Sequence, residues 1–331
     1  MEKQIKLNFD PIAHKYSDDS GLVYTSVTTV IGKYVPPFNE KYWSMYTALR
    51  DSGFKVRPDE SEKTIVVDGQ FRSLDSLYKN PINSFEVSRL IDKWKVMTTV
   101  ACDRGNEIHN FLEDGINASK DDDGSSNDLI KPNLVSALGA VGLVAIRTKH
   151  DLDKTNIEER FPIIYKRLLA YINMGCTLFA EKRIYSTVYL IAGMIDVLIV
   201  KGKLFAILDW KSNKDVMMFR SGYFKKARIN GIWAKTDNFI EKKSYLQSPL
   251  NNVENCKGMI YTLQLSLYAF IMELWGYKLI GNGLEIFHIR PGLEPQLIKV
   301  EYRRDDVLRM LEHHKTKCVS NKLTTNFLGI R

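Results

Sequence analysis

Two acidic residues and a closing lysine are set into two short and otherwise apolar runs of this chain, joined by a lysine-flanked glycine. The stretch runs Gly193-Met194-Ile195-Asp196-Val197-Leu198-Ile199-Val200, then Lys201-Gly202-Lys203, then Leu204-Phe205-Ala206-Ile207-Leu208-Asp209-Trp210-Lys211. The apolar runs have the length and composition of strands, and the glycine-containing break between them reads as a hairpin turn. Alternate side chains of a strand share a face, so Met194, Asp196 and Leu198 fall together on the first strand and Asp209 and Lys211 on the second. Folding about residues 201–203 sets Asp196 opposite Leu208 and next to Asp209, and a small register adjustment or twist lets the carboxylates converge. Converging carboxylates form an oxygen cradle for a hard ion such as Mg²⁺, which keeps waters and accepts phosphate oxygens in its remaining positions. Lys211 then stands beside a bound phosphoryl group. It either deprotonates an attacking water or stays charged, orienting the water and stabilising charge that develops on phosphorus. The competing reading is an exposed hairpin on which Asp209 and Lys211 are solvating charges, and an Asp-x-Lys triplet alone favours it. Position argues the other way, because the triplet closes a strongly apolar strand and another acid lies on the strand before it.

Around this hairpin the pattern of the chain is mixed. Short strands are expected at Gln4 to Phe9 and Leu22 to Tyr24, on either side of a polar turn at Ser17 to Gly21; Ser26 then caps a helix that ends before Pro36 and Pro37. Asn39 to about Lys131 reads as mainly helical, with a polar excursion at Asp51 to Gln70 that suits a small hairpin or lobe. The acidic and polar run Asp121 to Asn127 offers little apolar area to offset ordering and reads as a mobile loop. Helical pattern resumes over Pro132 to Ile146 and Ile157 to Gly175. Four strands follow, at Thr177 to Lys182, Tyr185 to Tyr189, Gly193 to Val200 and Leu204 to Lys211. Asn213 to Cys256 is rich in lysine and aromatic residues and reads either as a substrate-facing insertion or as two packed surface helices. Tyr261 to Trp275 has an amphipathic helical pattern, Leu284 to Arg290 that of a strand, and Arg304 to His314 that of a terminal helix.

Four further features join the hairpin in order: Arg104 and His109 in the segment Cys102 to His109, Glu181 before the hairpin, and Gln264-x-x-x-Tyr268 after it. Taken together with Gly193-x-x-Asp196 and Asp209-x-Lys211, these residues resemble the RecB-like branch of the PD-(D/E)XK nuclease superfamily, including its phage and mitochondrial DNA exonucleases. The segment Tyr24-Thr25-Ser26-Val27-Thr28 is similar to the opening of such enzymes. The resemblance implies an α/β fold with a restriction-endonuclease-like core, a central mixed β-sheet flanked by helices, preceded by an N-terminal helical lobe. It implies Mg²⁺ or Mn²⁺ held by Asp196, Asp209, the Trp210 backbone carbonyl and His109, with Glu181 beside the metals or the nucleophilic water and in reach of a second ion. One ion or two stays open. Lys211 assists hydrolysis, and Gln264 and Tyr268, four apart on one helix face, support the site or approach the DNA backbone. Each residue also has an ordinary reading: a satisfied structural histidine for His109, a salt bridge to Lys182 or Arg183 for Glu181, and a core tyrosine for Tyr268. Two departures from the family stand out. The triplet carries Asp209 where many relatives have Glu, and the clustered cysteines of iron–sulfur relatives are missing, so no iron–sulfur cluster is expected.

The division expected is residues 1–100 as N-terminal strands and helical lobe, and 101–331 as nuclease core with an insertion at about 213–256. DNA is the expected partner, with replication or recombination proteins as further ones, and the expected activity is metal-dependent exonucleolytic hydrolysis in replication, recombination or repair. A structure-specific or nicking endonuclease and a catalytically weak DNA-binding or virion-associated protein are the alternatives. The formal charge of +8, from 47 Lys and Arg against 39 Asp and Glu, is compatible with a polyanionic partner but selects none. Lys225, Lys226 and Arg228, with Lys242 and Lys243, are phosphate-binding candidates, and Arg104 is another; each reads equally as part of a solvated face. Trp210, Tyr223 and Trp233 either stack on unpaired bases or pack in the core. Cys102, Cys176, Cys256 and Cys318 are too dispersed for a CxxC ligand pair. The uncharged run Leu134 to Ile146 is too short to cross a bilayer, and the first residues lack the apolar stretch of a signal peptide, so no membrane role and an intracellular location are expected.

Overall fold

The computed structural model describes residues 7–10, 13, 15–117, 145–229 and 232–327. The segment Asp121 to Asn127 and nearly all of the stretch Pro132 to Ile146 lie outside the described residues. The chain divides into two compact units, Met1–Pro36 with Ile108–Arg331, and Pro37–Glu107.

The larger unit is α/β, built on a large mixed sheet flanked by helices. Its strands are β1 (Leu7–Asp10), β2 (Lys15–Asp18), β3 (Val23–Ser26), β7 (Thr177–Ser186), β8 (Ile191–Lys201), β9 (Leu204–Lys211), β12 (Lys278–His288) and β13 (Gln296–Lys299). The order is β1-β2-β3-β8-β9-β12-β13, with β7 on β8. Most neighbours are antiparallel; β3 on β8 and β9 on β12 are parallel. Alternation along β9 shows how the two faces are covered. Phe205 and Ile207 belong to one core cluster, with residues of α1 (Val27–Gly32), α8 (Lys257–Leu274) and α9 (Arg304–Phe327). Ala206, Leu208 and Trp210 belong to the other, with Ile108 and Leu112 of the long helix α4 (Pro81–Asn117) and residues of α5 (Lys149–Asp153), α6 (Ile157–Arg160) and α7 (Pro162–Asn173). On that second face Arg167 of α7 forms a bidentate pair with the buried Glu285 of β12, which satisfies a charge that burial would otherwise penalise. Ser26 caps α1 as expected, its hydroxyl accepting from the Thr29 amide at 3.0 Å.

The smaller unit holds α2 (Glu40–Asp51), the antiparallel three-stranded sheet of β4 (Val56–Pro58), β5 (Thr64–Val67) and β6 (Gln70–Ser73), α3 (Leu74–Tyr78), and α4 up to Glu107. Its own core gathers Tyr42, Met45, Leu49, Ile65 and Val87.

Several expectations are corrected. The N-terminal strands do not belong with the helical lobe: Thr25 and Ser26 pair with Ile191 and Ala192, so the first 36 residues complete the large sheet. The lobe is an insertion at 37–107 rather than residues 1–100. Thr177 to Lys182 and Tyr185 to Tyr189 are not two strands, since β7 runs unbroken to Ser186 and the turn comes at 187–190. Within 213–256 the two-helix alternative fails. The segment contains a β-ribbon, β10 (Gly222–Ile229) and β11 (Ile232–Glu241), paired only with each other. No helix among the described residues is long and apolar enough to cross a membrane.

Candidate active site

Glu181, Asp196 and Asp209 form one row across β7, β8 and β9. The pairs Ala180↔Val197 and Lys182↔Ile195 bracket Glu181 and Asp196, which places them opposite each other. Val197↔Leu208 is the last pair of the β8–β9 ladder, and the next position on each strand is Asp196 and Asp209. Lys201 pairs with Leu204, so the turn consists of Gly202 and Lys203 alone, with Gly202 at φ +60°. Counting three turn residues therefore misplaces Asp196 by one position. The true register aligns the two carboxylates with no adjustment.

The sheet comes apart at this row. The edge of β8 that carries β9 from Lys201 to Val197 is taken up by β3 at Ile191 and Ala192, because β7 occupies the other edge throughout. Gly193 to Asp196 lie between, at a fork. Glu181 adopts a left-handed backbone, φ 49°, which costs a non-glycine residue of order 1–3 kcal/mol and is retained only where surrounding structure imposes it. The alternation of β8 slips here too. Ile191 and Ile195 share a core cluster with Leu198 and Val200, so Met194, Asp196 and Leu198 do not continue as one regular face. Where the main-chain ladder ends, the Asp196 carboxylate replaces it, with Oδ2 accepting the Trp210 amide proton at 2.8 Å.

Helix α4 brings a histidine to the fork. Ile108 and Leu112 are buried in the second core cluster, and Phe111 packs on Phe161 with ring centroids 5.8 Å apart. These contacts leave His109 turned toward the row, its Nε2 3.3 Å from the Trp210 carbonyl oxygen and its Nδ1 3.9 Å from Asp196 Oδ2. One potential ligand atom from each of His109, Glu181 and Asp196 lies within 4.8 Å of the others. Asp209 is fully buried and is not part of that trio; Lys211 pairs with its Oδ2, while Oδ1 is buried with no hydrogen-bond donor among the described residues.

Charge is concentrated in this small volume. Burial, followed by the nearby carboxylates of Asp196, Glu113 and Asp209, pushes Glu181 up to about 9. Burial likewise raises Asp209 to about 6, against the opposing pull of Lys211. Burial works to lower the pKa of Lys211, but Asp209 and Asp196 outweigh it and hold the ammonium charged. Acids crowded by one another and starved of solvent are what a bound cation would stabilise. One imidazole, several carboxylates, a carbonyl and an orphaned buried carboxylate oxygen also suit Mg²⁺ or Mn²⁺ as a donor set. The residues present fit such an ion.

Helix α8 closes the fork from the first face. A Cβ on Gly193 would come within 2.5 Å of the Tyr268 ring, so glycine is what admits this tyrosine against the strand. Gln264 donates to the Tyr268 hydroxyl at 3.0 Å, as their four-residue spacing suggested. Tyr268 is 4 % exposed. That corrects its assignment as a DNA contact: in this position it braces the fork, with the carboxylates of Asp209 and Asp196 close enough to help raise its pKa after burial. The Lys211 ammonium lies 4.9 Å from the ring centroid of Tyr261 on the same helix. Trp210 is also withdrawn as a base-stacking candidate, since its ring is buried against Phe287.

Two residues absent from the sequence reading belong here. Glu113, one helical turn beyond His109, adds negative charge that helps push the Glu181 pKa up, and its i, i+4 spacing was the available signal. His288 of β12 pairs in register with Lys211 and is fully buried; its Nε2 lies 2.8 Å from the Asn213 carbonyl oxygen, which ties down the chain just after the triplet. Only the topology reveals it, because β12 is remote in sequence. Arg104 belongs to the smaller unit. Lys225, Lys226, Lys242 and Lys243 are exposed on or beside the ribbon, whereas the side chains of Arg228 and Trp233 lie outside the described residues. No protein-family model, curated protein or solved structure matches the chain.

Proposed function

We propose that this protein is a divalent-metal-dependent deoxyribonuclease with a restriction-endonuclease-like core, acting as an exonuclease in replication, recombination or repair. The observation that carries the reading is the row Glu181–Asp196–Asp209 at a fork in the sheet, with His109 on one side and a charged Lys211 on the other. His109, Glu181, Asp196, Asp209 and the Trp210 carbonyl would hold Mg²⁺ or Mn²⁺. A cation bound there supplies Lewis acidity toward a phosphate oxygen and makes water a stronger acid.

The protein's own groups do the rest. Asp196 keeps the Trp210 peptide, and so its carbonyl, in a fixed orientation through the 2.8 Å bond. Lys211, held charged by the surrounding carboxylates, orients the attacking water and stabilises negative charge on the non-bridging phosphate oxygens. Glu181, which burial and its crowded surroundings keep neutral while no cation is bound, would ionise to hold one. Preference for DNA ends rests on the sequence resemblance.

End-labelled linear DNA and covalently closed circular DNA, each with Mg²⁺ and with EDTA, test this reading. Loss of the linear substrate in Mg²⁺ only, with circles intact, is expected. Cutting of circles would make the protein an endonuclease, and metal-insensitive binding without cleavage would leave only a DNA-binding scaffold.

A further inference from the structure

We propose that the β10–β11 ribbon is an arm for double-stranded DNA, gripping phosphates on both sides of a groove without regard to sequence. The proposal rests on the DNA-hydrolysis reading and assigns its substrate form.

Residues 222–243 hold six basic residues (Lys225, Lys226, Arg228, Lys235, Lys242 and Lys243) against two acidic ones, Asp237 and Glu241; that is a net +4, half of the chain's +8. Lys226 directly opposes Lys235 across the antiparallel pair, so the two ammonium groups sit on the same face. Like charges placed so are destabilising in an isolated ribbon, and a polyanion removes the penalty. Lys235 is engaged with the exposed Asp215, a surface pair of the kind that contributes little and exchanges readily for phosphate.

The ribbon pairs with no strand of the central sheet, and its own side chains shape it. Phe224 and Phe239 pack edge to face at 5.3 Å, and Gly222 is bare because a Cβ there would strike the Phe239 ring and the Ile240 carbonyl. Between Phe224↔Phe239 and Lys226↔Lys235 two steps on β10 span four on β11, an irregularity that bends a ribbon; the Thr236 hydroxyl pins it by donating to the Lys225 carbonyl at 2.8 Å. Its base is tied to elements of the site. Ser221 donates from its amide to Glu254 and from its hydroxyl to the Ser244 carbonyl, and the Gly258 amide at the start of α8 bonds the Met218 carbonyl. Residues 212–221 join this base to Lys211.

The shape selects duplex. A two-stranded β-ribbon fits the major groove of B-DNA, where lysines on both strands of the ribbon face phosphates on both sides. Single-strand binders instead present successive aromatic faces for stacking. Here Phe224 and Phe239 are turned onto each other, and among the described aromatic side chains of the ribbon Tyr223 is the exposed one.

The test is fluorescence anisotropy in Ca²⁺ with a 30-base-pair duplex and with one of its strands alone, using wild type and the Lys225→Glu/Lys226→Glu double variant across a salt series. Duplex affinity is expected to fall by roughly 30-fold or more and the slope of log K against log salt by about 2, one unit per lost phosphate contact, while single-strand affinity changes by less than about threefold. Equal loss on both probes, or no loss on duplex, overturns the proposal. Lys225→Gln/Lys226→Gln gives the same comparison if the charge reversal impairs folding. Mg²⁺-dependent cleavage of a hexanucleotide, measured beside duplex binding, separates the two readings. Cleavage with unchanged duplex binding refutes the arm alone, and selective loss of duplex binding by an enzyme that cuts nothing supports the arm and refutes hydrolysis.

Discussion

Lys211→Ala is expected to fold, with some loss of stability because the buried Asp209 loses its partner, and to keep its metal-supported affinity for DNA while its single-turnover cleavage rate falls by roughly 10²–10⁴-fold. The expectation follows from where the ammonium lies. It pairs with Asp209, rests over Tyr261, and is kept charged in a buried setting by two carboxylates, so it is poised to act on charge rather than to ligate a cation. Removing it takes away a fixed positive group where negative charge grows during attack on phosphorus. Binding is measured separately, by DNA affinity in Ca²⁺, so that assembly and chemistry are read independently. Lys211→Arg keeps the charge on a larger planar group that does not supply a neutral base; partial recovery of rate would assign the lysine to electrostatic positioning. An undiminished single-turnover rate for Lys211→Ala would remove this residue from the mechanism.

Asp196→Asn and Asp209→Asn are each expected to lower Mg²⁺-dependent cleavage at limiting metal by more than roughly 10²-fold, since disturbing groups one shell further out in metal sites already costs about 10- to 100-fold. The two differ in structural consequence. Asn at 196 can still accept the Trp210 amide proton, so that variant loses charge while the fork keeps its geometry. Asn at 209 leaves Lys211 without its buried partner, and some stability should go with the activity. Circular dichroism, denaturant unfolding and cleavage rates at several Mg²⁺ concentrations separate these effects. Near-normal rates at limiting Mg²⁺ in either variant would exclude that residue as a ligand.

The local chemistry of the site was open to sequence reasoning, and its long-range geometry was not. Asp196, Asp209 and Lys211 stand out because charged residues interrupt strongly apolar strands, and the strand pattern itself survives in β8 and β9. The register was misjudged because Lys201-Gly202-Lys203 looks like a three-residue turn, whereas Lys201 and Leu204 pair and close a two-residue one. Nothing in the composition around Glu181 signals a positive φ, and no glycine stands there to make one easy. The division of the N-terminal region failed for a related reason. A parallel contact between Thr25–Ser26 and Ile191–Ala192 spans about half of the chain, and no local pattern announces it. His288 and Glu285 come to β9 by the same kind of distant parallel pairing. The ribbon was left open as possible helix because its lysines, alanines and the polar run Thr236 to Asn238 dilute the strand-favouring aromatic and β-branched residues, and cross-strand pairs such as Phe224–Phe239 decide the matter.

The central claim is that the forked row binds a divalent cation, and the most direct measurement of it is Mn²⁺ titration of the intact protein followed by electron paramagnetic resonance, without DNA. Wild type is expected to bind Mn²⁺ saturably, with Lys211→Ala retaining that binding and Asp196→Asn weakening it by at least roughly tenfold. Mn²⁺ binding by Asp196→Asn that is indistinguishable from wild type, or no saturable binding by wild type, would contradict the account.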